Sequence, residues 1–404
     1  MFSSARDLDS PYAWWRLAAS VALSTVGGIG MWCLAVALPA VQADLGISRG
    51  DISFAYSLNM LGFFVGGVAA GRMVDRRGIV PTAILSALGL TAGFGLAPLA
   101  TSLPYFAAAQ VLIGFSAAAT FAPLVADISH WFVKRRGVAV AIAASGNYIA
   151  GAIWPPVVEL VIREHGWRTA YAAAGALCLL TMIPLALTLR RRPPDHAESA
   201  IANVARRSQA ALGLTPTALQ ALLAVAGIAC CVAMSMPQVH IVAYCADLGY
   251  GVARGAEMLS LMLGFGIVSR VATGWIADKV GGVMTLLLGS TLQGVALVFY
   301  LMADGLTSLY LASILFGLFQ GGIVPSYAII VREFFPPKEA ATRVGFTVSV
   351  TVLGMALGGW MGGEFFDITG SYRAAWINGI AWNLLNGAIA LWLLVRQTRR
   401  TATA

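Results

Sequence analysis

Charge is scarce in this chain. Only 11% of its 404 residues are Asp, Glu, Lys or Arg, whereas a water-soluble domain carries about a quarter. Polar stretches are scarce as well, and the longest runs from Arg190 to about Pro216. The five cysteines (Cys33, Cys178, Cys230, Cys231, Cys245) lack metal or redox spacing, so small apolar packing is their expected role. There is no H-E-x-x-H and no G-x-S-x-G pattern. Those absences argue against an enzyme, and no cofactor or metal is expected.

Apolar sequence is what the chain has in quantity: 59% hydrophobic residues, with a mean hydropathy of +0.79. A membrane span needs about 20 apolar residues. Twelve such stretches lie near 14–40, 51–73, 79–100, 104–127, 137–161, 167–190, 217–245, 255–277, 283–303, 307–331, 341–365 and 372–396. The expectation is an all-α, multi-pass protein of the cell inner or plasma membrane, with the lipid bilayer as its surroundings. The start, "MFSSARDLDSPY", reads as a polar lead into the first span and not as a cleavable signal.

The net charge of +8 does not point to nucleic acid, because its placement follows topology. With the N-terminus inside, the cytoplasmic side collects Arg72, Arg76, Arg77, Lys134, Arg135, Arg136, Arg190, Arg191 and most of the remaining bases. The outer loops hold Arg49, Arg163, Arg168, Arg254 and Arg373. This is the positive-inside pattern, and it places both termini in the cytoplasm.

The polar stretch at mid-chain suggests a division into a first bundle (1–192), a cytoplasmic linker (193–214) and a second bundle (215–404). The two halves echo each other. "GRMVDRRG" (71–78) and "GWIADKVGG" (274–282) both fit G-x-x-x-D-[RK]-x-G, each after the second span of its half. The motif resembles the loop between helices two and three of the major facilitator superfamily. That resemblance implies two pseudo-symmetric six-helix bundles that alternate access about a midplane site. Small Gly71 and Gly274 would let helices approach closely. Asp75, Arg76 and Asp278 would then be gating residues that lock the cytoplasmic side in one state. Asp127, just before the Lys134–Arg135–Arg136 loop, is expected in an inner-gate ion pair, with Arg135 also among the gating residues. Glu159 and Glu364 are expected toward the outer face.

One base breaks the pattern. Arg270 interrupts an apolar run from Met258 to Ile276. It lies about 12 Å deeper than Asp278 at 1.5 Å per residue, near the middle of a ~30 Å core. Gly266, Arg270, Gly274 and Asp278 repeat at i+4 and suit a bundle interior, while Leu263, Ile267, Val271 and Trp275 suit lipid. A snorkelling or permanently paired arginine is the alternative. A charge in the membrane costs ~3 kcal/mol or more and persists where it lines a pathway. Guanidinium fits a carboxylate as a planar fork, so the expected cargo is a small organic anion. His240 on the seventh span could carry a proton or bond the substrate, or be a core histidine. Pro237 is expected to kink that span, with Gln238 sharing the pocket. Gln320 reads as interior packing.

Further segments carry a resemblance to the monocarboxylate transporters and the related oxalate–formate antiporters. "DSPYAWW" (9–15) is similar to their [DE]-G-[GS]-[WF]-[GA]-W signature at Asp9, Ala13 and Trp14, and departs from it at Ser10 and Pro11. "HWFVKRRGVAVAIAASGNYIAG" (130–151), "GWRTAY" (166–171) and "FFDITGSYRAA" (365–375) resemble other family segments. "GFGIVSRVATGWIAD" resembles the helix whose arginine binds the substrate carboxylate, and the match falls on Arg270. The resemblance also implies Tyr327, Asn147 and Tyr148 as pocket residues. Two departures stand out: no lysine lies near "GMWCLAVALP" (30–39), and none in "VGFTVSVTVLGMALGGW" (344–360). The family's lysine-based proton coupling and oxalate as cargo are therefore disfavoured. The expected function is secondary transport of a monocarboxylate by a monomer, as proton symport or anion exchange. A proton-driven exporter of drugs or other amphiphiles is the alternative.

Overall fold

The computed structural model describes residues 8–132, 135–191 and 213–401. Arg6, Lys134, Arg192, Arg206 and Arg207 lie outside them, as does the expected linker except for its last two residues. Among the described residues there is no strand. Twelve helices among the described residues are long and apolar enough to cross a membrane. They are α1 (Pro11–Leu45), α2 (Arg49–Arg77), α3 (Ile79–Leu99), α4 (Leu103–Ser129), α5 (Val138–His165) and α6 (Trp167–Thr188). The second six are α7 (Pro216–Asp247), α8 (Val252–Val280), α9 (Gly282–Met302), α10 (Leu306–Phe334), α11 (Thr342–Thr369) and α12 (Arg373–Arg399). Each of the twelve expected stretches coincides with one of these helices, six lying wholly inside and six overrunning an end by one or two residues. Polar first and last turns extend them, as where Ser48 and Asp51 form a capping box at the start of α2.

The repeated motif has a repeated conformation. Gly78 between α2 and α3 has φ 86° and ψ 174°, and Gly281 between α8 and α9 has φ 80° and ψ 167°. Only glycine adopts this region without strain, which explains why both copies end on Gly. Gly71 and Gly274, expected at close helix approaches, instead have no neighbour within 4 Å of a Cβ position.

Contacts divide the chain into two compact units: Met1–His196 with His240–Gly264, and Ala197–Val239 with Phe265–Ala404. Residues 240–264, expected with the second half, therefore pack with the first. In unit 1 the tightest approach joins α2 and α4. A Cβ on Gly114 would overlap the carbonyl of Asn59, and the carbonyls of Val111 and Phe115 press on Gly62 and Gly66 in return. Lipid gives two apolar helices no hydrophobic reason to associate, so close backbone packing replaces it. A buried polar chain crosses the same core. Asn59 Nδ2 donates to Gln110 Oε1 at 2.9 Å, and Gln110 Nε2 donates to the Tyr171 hydroxyl at 3.0 Å. Unit 2 uses the same device, with Gly354 and Gly358 of α11 set against the carbonyls of Ile228 and Val232 on α7.

Candidate functional site

Arg270 sits on α8, about 15 Å from Val280 along a helix rising 1.5 Å per residue. It is half-buried, while Val268, Val271 and Trp275 are exposed at 55%, 66% and 63%. The bulky stripe therefore faces outward at Val271 and Trp275, as its chemistry suggests; Leu263, two turns before Val271, is wholly buried in unit 1. The Arg270 face packs on α10. That helix breaks between Gln320 and Ile323, and a Cβ on Gly321 would strike the carbonyl of Gly266 and approach Ser269 Cβ to 2.8 Å. Gly322 meets Thr273 in the same way. Two glycines thus let α10 lie directly on the turn of α8 that carries Arg270.

The other expected pocket residues divide between the units. In unit 2, Tyr327 is 0% exposed and its hydroxyl donates to Asn386 Oδ1 of α12 at 2.8 Å. A hydroxyl committed in this way supports the core and donates to a substrate only after releasing Asn386. Gln238 donates to Gln320 Oε1 at 3.1 Å. In unit 1, His240 is fully buried and Tyr148 is 5% exposed. Asn147 is half-buried beside a break in α1 at Gly28. Its carbonyl accepts from Trp32 Nε1 at 3.2 Å, and Trp154 Nε1 donates to the Thr25 carbonyl at 2.6 Å. These two indoles staple α5 to both sides of the break.

The gating residues are placed differently from expectation. Asp127 does not pair with Arg135. Its carboxylate takes Arg16 Nε at 2.7 Å and Nη2 at 2.8 Å. Arg16 is 0% exposed, donates also to the Leu189 and Arg191 carbonyls, and lies 4.6 Å from the Trp131 ring centroid. The pair ties α1, α4 and the end of α6 together inside one unit. Arg135 is exposed, and its backbone N–H reaches Asp9 Oδ1 at 3.3 Å. Asp75, Arg76 and Asp278 are exposed and form no salt bridge among the described residues. Glu159 and Glu364 are engaged along their own helices, with Arg163 at 3.9 Å and Trp360 Nε1 at 3.0 Å.

One pair escaped the sequence reading. Arg49, in the first turn of α2 and 5% exposed, grips Asp247 at the end of α7 through two 3.1 Å contacts. Gln42 Oε1 accepts from its Nε at 2.6 Å. Nearby, Ser260 of α8 donates to the Ala152 carbonyl of α5, and Leu263 lies against Gly151. These contacts hold segment 240–264 on the first six helices. Arg49 and Asp247 are 198 residues apart, and each alone looks like an ordinary loop charge. No group of His, Cys, Asp and Glu suited to a metal ion occurs among the described residues.

Comparison with known proteins fits this architecture. The sequence pattern of the Major Facilitator Superfamily matches residues 21–304 and 258–404. Monocarboxylate transporter 13 of Bos taurus is 28% identical over 344 residues, covering 84% of this chain and 79% of its own. The MFS-type transporter pynF of Aspergillus niger is 23% identical, covering 85% and 79%. The agnestins efflux protein AgnL12 of Paecilomyces divaricatus is 23% identical, covering 88% and 80%. Among solved structures, the nucleoside transporter NupG superposes with a TM-score of 0.75 at 13% identity, covering 95% of this chain and 99% of that one.

Proposed function

Because the chain belongs to the major facilitator superfamily, a family of multi-pass membrane transporters, we propose that it carries a small organic anion, a monocarboxylate, by alternating access. The observation that carries this reading is Arg270. It is a guanidinium about 15 Å from the end of its span, on the face of α8 that packs on α10 rather than the outward face of Val271 and Trp275. A cation in that position attracts one carboxylate and repels cationic cargo. The likeness to monocarboxylate transporters supports the same cargo.

In this reading both termini face the cytoplasm, and the protein works as a monomer in the plasma membrane. Arg49–Asp247 then serves at the outer end, holding segment 240–264 on the first six helices. Asp75, Arg76 and Asp278 serve at the inner end. Gln238 and His240 follow Pro237 on α7. Coupling is to protons or to a counter-anion.

A second reading, proton-driven export of an amphiphile, is favoured by the likeness to the agnestins efflux protein. It calls for a titrating acid deep in a span. The acids of the described spans instead lie within about two turns of a helix end. Reconstitution into liposomes decides between the two. Counterflow of short carboxylates, measured with and without a pH gradient, supports the first reading. Its absence, together with proton-driven efflux of a lipophilic dye, supports the second.

A further inference from the structure

Among the buried side-chain polar atoms of unit 2 without a hydrogen-bond partner, three belong to residues gathered around the break in α10. Gln238 Oε1, Gln320 Nε2 and Ser269 Oγ are buried and have no hydrogen-bond partner. Their residues are 1%, 0% and 2% exposed. Two primary amides side by side can close a ring of two hydrogen bonds. Gln238 and Gln320 make one, at 3.1 Å, and leave a donor on one residue and an acceptor on the other.

Their position matters as much as their chemistry. Gln320 ends the first segment of α10, immediately before the two glycines seated on Gly266, Ser269 and Thr273. Ser269 immediately precedes Arg270. Gln238 follows Pro237, within a helix that the fold divides at Val239 and His240. Three helices thus bring neutral polar groups to the turn that carries the guanidinium. Each orphaned group bears the penalty of its lost hydration, and lipid offers no replacement partner. Apolar side chains would fill the same space without that penalty. Three such atoms gathered at the turn that carries Arg270 are groups that a polar ligand would satisfy.

We propose that Gln238, Gln320 and Ser269 form a neutral subsite beside Arg270 that reads a carboxamide or ureido group on the substrate. The ligand carbonyl accepts from Gln320 Nε2, and its N–H donates to Gln238 Oε1. The Ser269 hydroxyl supplies either role. This inference rests on the carboxylate reading of Arg270 and narrows it: the cargo is a carboxylate that carries an amide, in preference to a plain alkyl acid.

The test uses the full chain in liposomes and two pairs of labelled probes, malonamate against acetoacetate and succinamate against levulinate. Within each pair an amino group replaces a methyl and the charge is the same. The wild-type protein is expected to show counterflow half-saturation about tenfold or more lower for the amide acid of at least one pair, because a site built to bond N–H groups rejects the analogue that lacks them. Gln320→Met and Gln238→Met are expected to bring that ratio close to one. Equal half-saturation within both pairs in the wild type, a comparison that needs no variant, overturns the subsite. So does a ratio that survives Gln320→Met. Counterflow of neither member of either pair overturns the carboxylate reading beneath it, a result distinguishable from the other two.

Discussion

Removing the Arg49–Asp247 pair should release segment 240–264 from the first six helices. Arg49 is 5% exposed, and the Asp247 side chain is 31% exposed, so the pair sits between bulk water and a dry interior. Two unit charges about 4 Å apart at an effective dielectric near 20 attract by about 4 kcal/mol. Desolvation and side-chain ordering return much of that, leaving about 1–3 kcal/mol for a bidentate, partly buried pair. If the pair forms only in the latched state, its loss shifts the latched-to-released ratio by roughly 5- to 150-fold. A cysteine at Ser260 reports on this, because Ser260 lies where α8 meets the Ala152 carbonyl of α5. The native cysteines among the described residues are all buried. Alkylation of the introduced Ser260→Cys thiol by a membrane-impermeant maleimide, followed by peptide mass mapping, should speed up about tenfold or more in Arg49→Ala. Asp247→Asn should do the same to a smaller degree, and the exchange Arg49→Asp with Asp247→Arg should slow labelling again. An unchanged rate in a folded Arg49→Ala protein refutes the latch.

Other outcomes follow from the same contacts. Asp127→Asn leaves the Arg16 guanidinium buried without its counter-charge, so thermal unfolding in detergent should show a loss of about 3–5 kcal/mol. A loss under 1 kcal/mol would mean that the pair is not a structural tie. Asp75→Asn should lower the maximal counterflow rate several-fold while half-saturation stays within twofold, since the residue is exposed and two residues from the end of α2. Unchanged turnover counts against its place in the gate.

The membrane architecture was legible because the bilayer imposes a length. Once charge falls to 11%, about 20 apolar residues per crossing mark each span. The repeat at Gly78 and Gly281 was legible for a similar reason, since one backbone conformation demands one residue type twice. Arg270 stood out by cost alone. Partners were less accessible to sequence reading. Asp127 lay eight residues from Arg135 and looked local, yet Arg16, 111 positions away, holds it. Arg49 and Asp247 likewise find each other only when α2 and α7 are placed in space. The Gln238–Gln320 pair was divided by the same limit: Gln320 reads as packing until its orphaned nitrogen is seen beside the turn that carries Arg270.

Counterflow by Arg270→Ala and Arg270→Lys, measured beside the wild type on the same carboxylate, tests the central claim most directly. Two charge-assisted hydrogen bonds to a carboxylate are worth about 3–5 kcal/mol together, so their removal should cut saturable transport by roughly 10²- to 10³-fold. Lysine keeps the charge but not the fork and should retain only a small part of the activity. Loss of transport in a folded Arg270→Ala protein is the predicted result, and transport at the wild-type rate with wild-type half-saturation would contradict the account.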